Sequence, residues 1–323
     1  METGNPVNEA TLILKKNFMQ LKIYGMGKIW MAVFFITCLM ALNITSKAQA
    51  ARTWISAVGD DSNPCSRTLP CRTLQGAYSK TGANGEIDAI DAGTYGALTI
   101  TKSITINFTN VNGSVLSSGI NGISINIAAT DQVRLIGIQM QGGSSGTATG
   151  IMSDGSGQVI VENCKINGYF TGINMGGINA HLTLNNTTIT GGLLTTATGI
   201  RLSGSGISAT ANDITLEGLD VGMRVQLGNT ATLKNSYISR NSTNGLLTED
   251  LSQVNAESVL FVNNGTGITA DGTSTVRMSN LGIFNNTTGI ARIGTASTLA
   301  SYSNNKMAGN TTQGNPTAYL SAQ

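Results

Sequence analysis

The sequence predicts an all-β chain wound into a parallel solenoid, and three observations carry that reading. First, a glycine followed by an apolar residue recurs: Gly122-Ile123, Gly150-Ile151, Gly172-Ile173, Gly199-Ile200, Gly222-Met223, Gly245-Leu246, Gly267-Ile268 and Gly289-Ile290. The steps are 28, 22, 27, 23, 23, 22 and 22 residues. Second, a polar residue stands three before an apolar one: Asn163/Ile166, Asn186/Ile189, Asp213/Leu216, Asn235/Ile238, Ser258/Phe261 and Asn280/Ile283. Its steps of 23, 27, 22, 23 and 22 drift with the first series. Third, each repeat alternates with period two, as in Ile151/Ser153, Ile200/Leu202 and Met223/Val225. Alternation over four to six residues marks half-buried strands. A short unit repeated along the chain stacks into a solenoid.

Composition agrees. The chain has 323 residues, 40 of them Gly and only 4 Pro, so collagen is excluded. At 40% apolar residues it can bury a core and is not a disordered chain. Charged residues make up 11% and the formal net charge is +2, without the basic excess of a nucleic-acid binder. A His-ligated metal or a Ser-His-Asp triad would have only His181 to draw on.

Residues 1–50 read as a leader. Lys28 precedes the apolar run Ile29 to Leu42, and Ala48-Gln49-Ala50 supplies a small-residue site for cleavage after Ala50. The run is shorter than the roughly 20 residues of a membrane span. A retained anchor, or lipid attachment at Cys38, is the alternative, and Met19 or Met26 could be the true start. Removing five lysines and two acids from 19 basic and 17 acidic residues leaves 14 and 15, a net of −1. The expected compartment is therefore secreted or periplasmic, with no membrane contact after cleavage and no nucleic-acid partner.

Residues 51–80 are expected to cap the N-terminal end. Cys65 and Cys71 flank a short loop bounded by Pro64 and Pro70, which in an exported chain reads as a local disulfide. Cys164 is left over and reads as a small apolar filler. Leu74, Ala77 and Tyr78 fall at helical spacing within Thr73 to Lys80, which suits a short capping helix. Residues 81–307 carry the repeats, about nine or ten coils at about 4.8 Å each, a rod of about 45 Å. Gly and Asn are expected to supply left-handed turns. Asn163, Asn186, Asp213, Asn235, Ser258 and Asn280 are expected to stack as a structural ladder at one turn. Residues 308–323 lack the repeat and would cover the other end.

The coil length and glycine pattern resemble the right-handed parallel β-helix of the pectin-lyase-like superfamily, and in particular a group of secreted bacterial proteins. The resemblance rests on Arg52-Thr53-Trp54-Ile55-Ser56, Gly59-Asp60-Asp61-Ser62-Asn63-Pro64-Cys65, Pro70-Cys71-Arg72-Thr73-Leu74, Gly93-Thr94-Tyr95-Gly96 and Ile100 to Ile106. It implies a fold and an export route but no reaction, because that superfamily holds lyases, hydrolases, esterases, adhesins and tailspikes.

The resemblance also implies that any site lies on an outward strand face. The second residues after the repeat glycines are Met152, Asn174, Arg201, Arg224, Leu247, Thr269 and Ala291; the fourth are Asp154, Gly176, Ser203, Gln226, Glu249, Asp271 and Ile293. Arg201, Arg224, Gln226, Glu249 and Asp271 thus form the candidate ligand site. The favoured reading is a non-catalytic scaffold or glycan-binding protein, with a polysaccharide partner that the pattern does not name. If the face is a glycan site, an acidic glycan would bind across the arginine pair. The alternative is a lyase or hydrolase acting on an acidic polysaccharide. A lyase would use Arg as cation or base. A hydrolase would need two carboxylates roughly 5–9.5 Å apart. An adhesive module, or a merely solvated face of paired charges, completes the alternatives. No catalytic residue, metal or cofactor is assigned. His181 is expected to face outward without a carboxylate partner. Tyr169, Phe170 and Tyr237 are placed in turns or strands, and Phe261 and Phe284 in the core.

Overall fold

The computed structural model describes residues 49–321, except Asn110, 144–146 and 193–195, together with Lys15, Lys16 and Met19. Most of the expected leader, including Cys38, lies outside the described residues. No helix among the described residues is long and apolar enough to cross a membrane.

Within residues 49–321 the chain coils through three parallel stacks of strands. One full coil shows the pattern. Thr149–Ser153 lies in sheet I, Gln158–Glu162 in sheet II and Lys165–Asn167 in sheet III, and the chain re-enters sheet I at Thr171–Met175. Sheet I has nine strands, from Leu98–Ile100 to Thr288–Arg292. Sheets II and III join through two long strands, His181–Thr190 and Ser208–Glu217, which run through both.

Alternation sets the core. In sheet I, Ile123, Ile151, Ile173, Ile200, Met223, Leu246, Ile268 and Ile290 stack in register and are all buried. Burying such a side chain contributes about 1.5–3 kcal/mol. The repetition gives one continuous core rather than a few dominant contacts.

Glycines such as Gly137, Gly168 and Gly218 and several asparagines supply left-handed turns, as expected, but the repeat glycines have a different cause. Gly150, Gly172, Gly199, Gly222, Gly245 and Gly267 do not adopt left-handed backbone. A Cβ at each would stand 2.4–2.6 Å from the carbonyl oxygen of the repeat glycine one coil on. Close approach between coils, not turn geometry, excludes a side chain there. One set of left-handed positions lies at the corner between sheets II and III, where Asn163, Asn186, Asp213, Asn235, Ser258 and Asn280 have φ of 44–56°. Short polar residues tolerate that conformation best among those with a side chain.

These corner residues, read as one stacked ladder, form only isolated links. Asn186 Nδ2 donates to Asn163 Oδ1 (2.7 Å), Asn235 to Asn212 (2.9 Å) and Asn280 to Ser258 Oγ (3.0 Å). All but Ser258 are exposed. A continuous ladder stands instead at the next turn, in Asn241, Asn264, Asn286 and Asn310. Each of the first three donates both its main-chain N–H and Nδ2 to the next residue's Oδ1, at 2.8–3.1 Å. Their Nδ2 groups also donate to the carbonyls of Leu216, Ile238 and Phe261, and Asn310 donates to Ile283. Asn241, Asn264 and Asn286 are buried, so these amides satisfy turn backbone that water cannot reach.

The N-terminal end combines a strand, a loop and a helix. β1 (Ala50–Ile55) pairs in parallel with β2 (Thr81–Ala89), so the segment expected as a cap also extends sheet II. Cys65 and Cys71 form the disulfide. Helix α1 (Leu74–Lys80) is N-capped by the Thr73 hydroxyl, which accepts from Gly76 N–H, and buries Leu74, Ala77 and Tyr78 against β1 and β2. At the other end Lys306–Ala308 adds to sheet III and Ala318–Tyr319 to sheet II.

Candidate functional site

The outer face of sheet I carries the column read from the sequence. Met152, Asn174, Arg201, Arg224, Leu247, Thr269 and Ala291 pair strand to strand in that order. Arg201 and Arg224 are therefore direct neighbours on adjacent coils.

Their side chains avoid each other by leaning one coil on. Arg224 donates through Nε to Glu249 Oε2 (2.6 Å) and through Nη2 to Glu249 Oε1 (2.9 Å). The hydrogen bond with Glu249 raises the Arg224 guanidinium pKa above its ordinary value, against the opposing effect of burial. Arg201 makes the equivalent reach, but its Nε donates to the neutral amide oxygen of Gln226 at 3.1 Å. Two arginines with the same geometry thus end differently. Arg224 is neutralised, and Arg201 has no acid partner among the described residues.

The other candidates are dispersed. Asp271 turns back to accept its neighbour Gly272 N–H at 2.6 Å, and Glu249 is taken by Arg224, so the two do not act as a free carboxylate pair. Upstream, Ser203 Oγ donates to Asn174 Oδ1 (2.9 Å), and Asn174 Nδ2 donates to Met152 Sδ (3.1 Å). Asp154 is exposed farther along. Among the described residues, no three His, Cys, Asp or Glu side chains stand together as metal donors.

Sequence reasoning missed a recess at the N-terminal end of this face. It measures about 530 Å³ and is lined in part by Gln75 of α1, Thr99, Ile120, Asn121 and Ser124. Thr99 and Ser124 continue the Met152 column, because Ser124 pairs with both Thr99 and Met152. The signal was present as the strands Leu98–Ile100 and Ile123–Ile125, but the depth depends on loops without repeat pattern.

The remaining residues are placed as follows. His181 is exposed on sheet II, with Nδ1 2.5 Å from Ser208 Oγ. Cys164 is free and buried, and desolvation pushes its thiol up to about 12. Tyr169 is buried with its hydroxyl 2.9 Å from Ser117 Oγ, Phe170 is half-buried and Tyr237 is exposed. Phe261 is in the core. Phe284 is not: it is half-buried on the outer side of sheet III, leaning over Gly282, which leaves room for its ring.

Comparison with known proteins addresses the fold. The family model described as "Right handed beta helix region" matches residues 121–312. Among solved structures, a pectate lyase aligns at 14% identity over 79% of this chain and 76% of its own, with a TM-score of 0.54. The A-module of a mannuronan C-5 epimerase from Azotobacter vinelandii aligns at 14% identity over 84% and 87%, with a TM-score of 0.46. No curated protein matches the sequence.

Proposed function

The chain belongs to the right-handed β-helix family, and from that premise we propose an exported scaffold that binds an acidic polysaccharide along sheet I without cleaving it. In this reading residues 1–50 are the leader, 51–80 and 308–323 close the ends of the β-helix, and the protein works in the periplasm or outside the cell. The disulfide supports that compartment, since such bonds persist in oxidising surroundings.

One observation carries the ligand class. Arg201 and Arg224 share a column and a rotation, yet only Arg224 is paired with a carboxylate. Arg201 therefore presents an uncompensated guanidinium, half-buried, on the outer strand face. A guanidinium matches a carboxylate with two parallel N–H donors. A uronate on a chain lying across the coils would meet that fork, and neutral neighbours such as Gln226, Asn174 and Ser203 can bond its hydroxyls.

The binding-only reading rests on Arg224. A lyase base must give up its proton near neutral pH. Glu249 acts in the opposite sense, holding the guanidinium charged. Glu249 is itself engaged at both oxygens, which removes it as a free general acid or nucleophile. The test is titration of the purified protein with oligogalacturonate, with ultraviolet absorbance followed for unsaturated products. Saturable binding without new absorbance or reducing ends is the expected result. Product formation by the wild-type protein would replace this reading with a catalytic one.

A further inference from the structure

The opening segment contains a second arrangement, on a different face. In β1, Thr53 and Ile55 are buried, while Arg52 and Trp54 point to the outer side of sheet II. Trp54 is half-buried. The Arg52 guanidinium lies 5.6 Å from the centre of the Trp54 ring, and its Nε is ion-paired with Asp88 of the next strand. The terminal nitrogens of Arg52 have no hydrogen bond among the described residues.

The disulfide loop completes the arrangement. Trp54 N–H donates to Cys65 O, and Cys71 N–H donates to Trp54 O, both at 2.9 Å. These bonds fasten the loop along β1. Arg67, two residues past Cys65, then lines a recess of about 250 Å³ with Arg52, Trp54, Asp88, Ala89 and Ile90. Arg67 is exposed and has no acid partner among the described residues. A half-buried indole, a free guanidinium and a second guanidinium with spare donors thus converge on one small concavity.

We propose that this recess is a separate binding site for one uronate unit of an acidic glycan. The exposed part of the indole, beside the Arg52 guanidinium that stands over the ring, offers apolar surface to the C–H face of a pyranose. Arg67 takes the carboxylate through its fork of donors, and Arg52 supplies N–H groups to ring hydroxyls. The recess is too small for a strand or helix of another protein. The convergence of platform and cation separates a charged sugar from a neutral one, which would leave Arg67 unanswered. The site is on sheet II and shares no residue with the Arg201 column, so either site can fail without the other.

Tryptophan emission reads this site directly. The sequence holds two tryptophans, Trp30 and Trp54, and the difference between wild type and Trp54→Phe isolates the second. The probes are trigalacturonate and the neutral trisaccharide cellotriose. Trigalacturonate should produce a saturable change in Trp54 emission. Arg67→Ala should weaken that titration by roughly ten- to hundredfold, the loss of a charge-assisted hydrogen bond. Arg201→Ala should leave it unchanged. Absence of a saturable change, equal response to cellotriose, or an Arg67→Ala curve that overlays wild type would each overturn the proposal.

Discussion

Arg224 and Glu249, on adjacent coils of sheet I, form a two-pronged ion pair at 2.6 and 2.9 Å, with side chains only 34% and 15% exposed. Removing the arginine strands a mostly covered carboxylate. Arg224→Ala should therefore lower stability by about 1 kcal/mol. Arg201→Ala breaks only a hydrogen bond to a neutral amide and should cost under about 0.5 kcal/mol. Denaturant melts of both variants check the difference. Equal losses would mean that the two arginines are interchangeable in solution.

The buried amide ladder makes a sharper contrast. Asn264 Oδ1 accepts from both the main-chain N–H and the Nδ2 of Asn241, and Asn264 Nδ2 donates to Ile238 O and Asn286 Oδ1. Asn264→Ala leaves the Asn241 N–H and the Ile238 carbonyl without partners in a dry turn, a loss of about 2–4 kcal/mol. Asn235 is exposed with φ of 48°, so Asn235→Gly should be within about 1 kcal/mol of wild type. Thermal melts of the two variants measure this, and comparable drops would contradict the assignment of the ladder.

Gly222→Ala tests why the repeat glycine exists. The added methyl would lie 2.5 Å from Gly245 O, a main-chain atom of the next coil, 3.0 Å from Ile238 Cγ2 and 3.1 Å from Asn241 Nδ2. The coils would have to separate locally, which costs about 1–3 kcal/mol. Gly228, with φ of 74° and open space around its Cα, should show only the smaller backbone penalty of about 1 kcal/mol when made Ala. A Gly222→Ala variant that melts with wild type would remove close approach as the cause.

These cases show what the sequence could convey. Register was legible because the apolar alternation repeats with the glycine, so Arg201 and Arg224 could be placed on one column. The ladder was misplaced for a symmetric reason. Asn235 stands three residues before Ile238 and Asn241 three after it, and the same holds for Ser258 and Asn264 around Phe261. Spacing alone cannot say which of the two turns closes over the core. Nor could register foresee that Arg224 would lean to an acid and Arg201 to an amide. Phe284 was read as core, but it follows the buried Ile283, and period two sends the two to opposite faces.

Acid sensitivity should concentrate at the N-terminal end. Burial would raise the Asp61 and Asp91 pKa values, yet both are held below the ordinary carboxylate value by hydrogen bonds. Asp61 accepts from Thr73 and Arg72, and Asp91 from Ser56, Ala57 and Tyr95. A folded value below the unfolded one stabilises above the unfolded pKa of about 4 and is lost as pH falls through the folded value. The melting temperature should thus fall below about pH 4. The Asp61→Asn/Asp91→Asn variant should melt lower at neutral pH and show a shallower acid limb. An acid limb unchanged in the variant would place the sensitivity elsewhere.

Binding of an acidic glycan at Arg201 is the claim on which the functional account turns, and titration calorimetry at low salt addresses it most directly. Oligogalacturonates are titrated into an Arg67→Ala background, which silences the second recess, with and without Arg201→Ala. The account predicts saturable heat in the single variant. That heat should be lost when Arg201 is also replaced, with the melting temperature nearly unchanged, and it should weaken as salt rises. No heat in the single variant, or the same heat after Arg201→Ala, would contradict it.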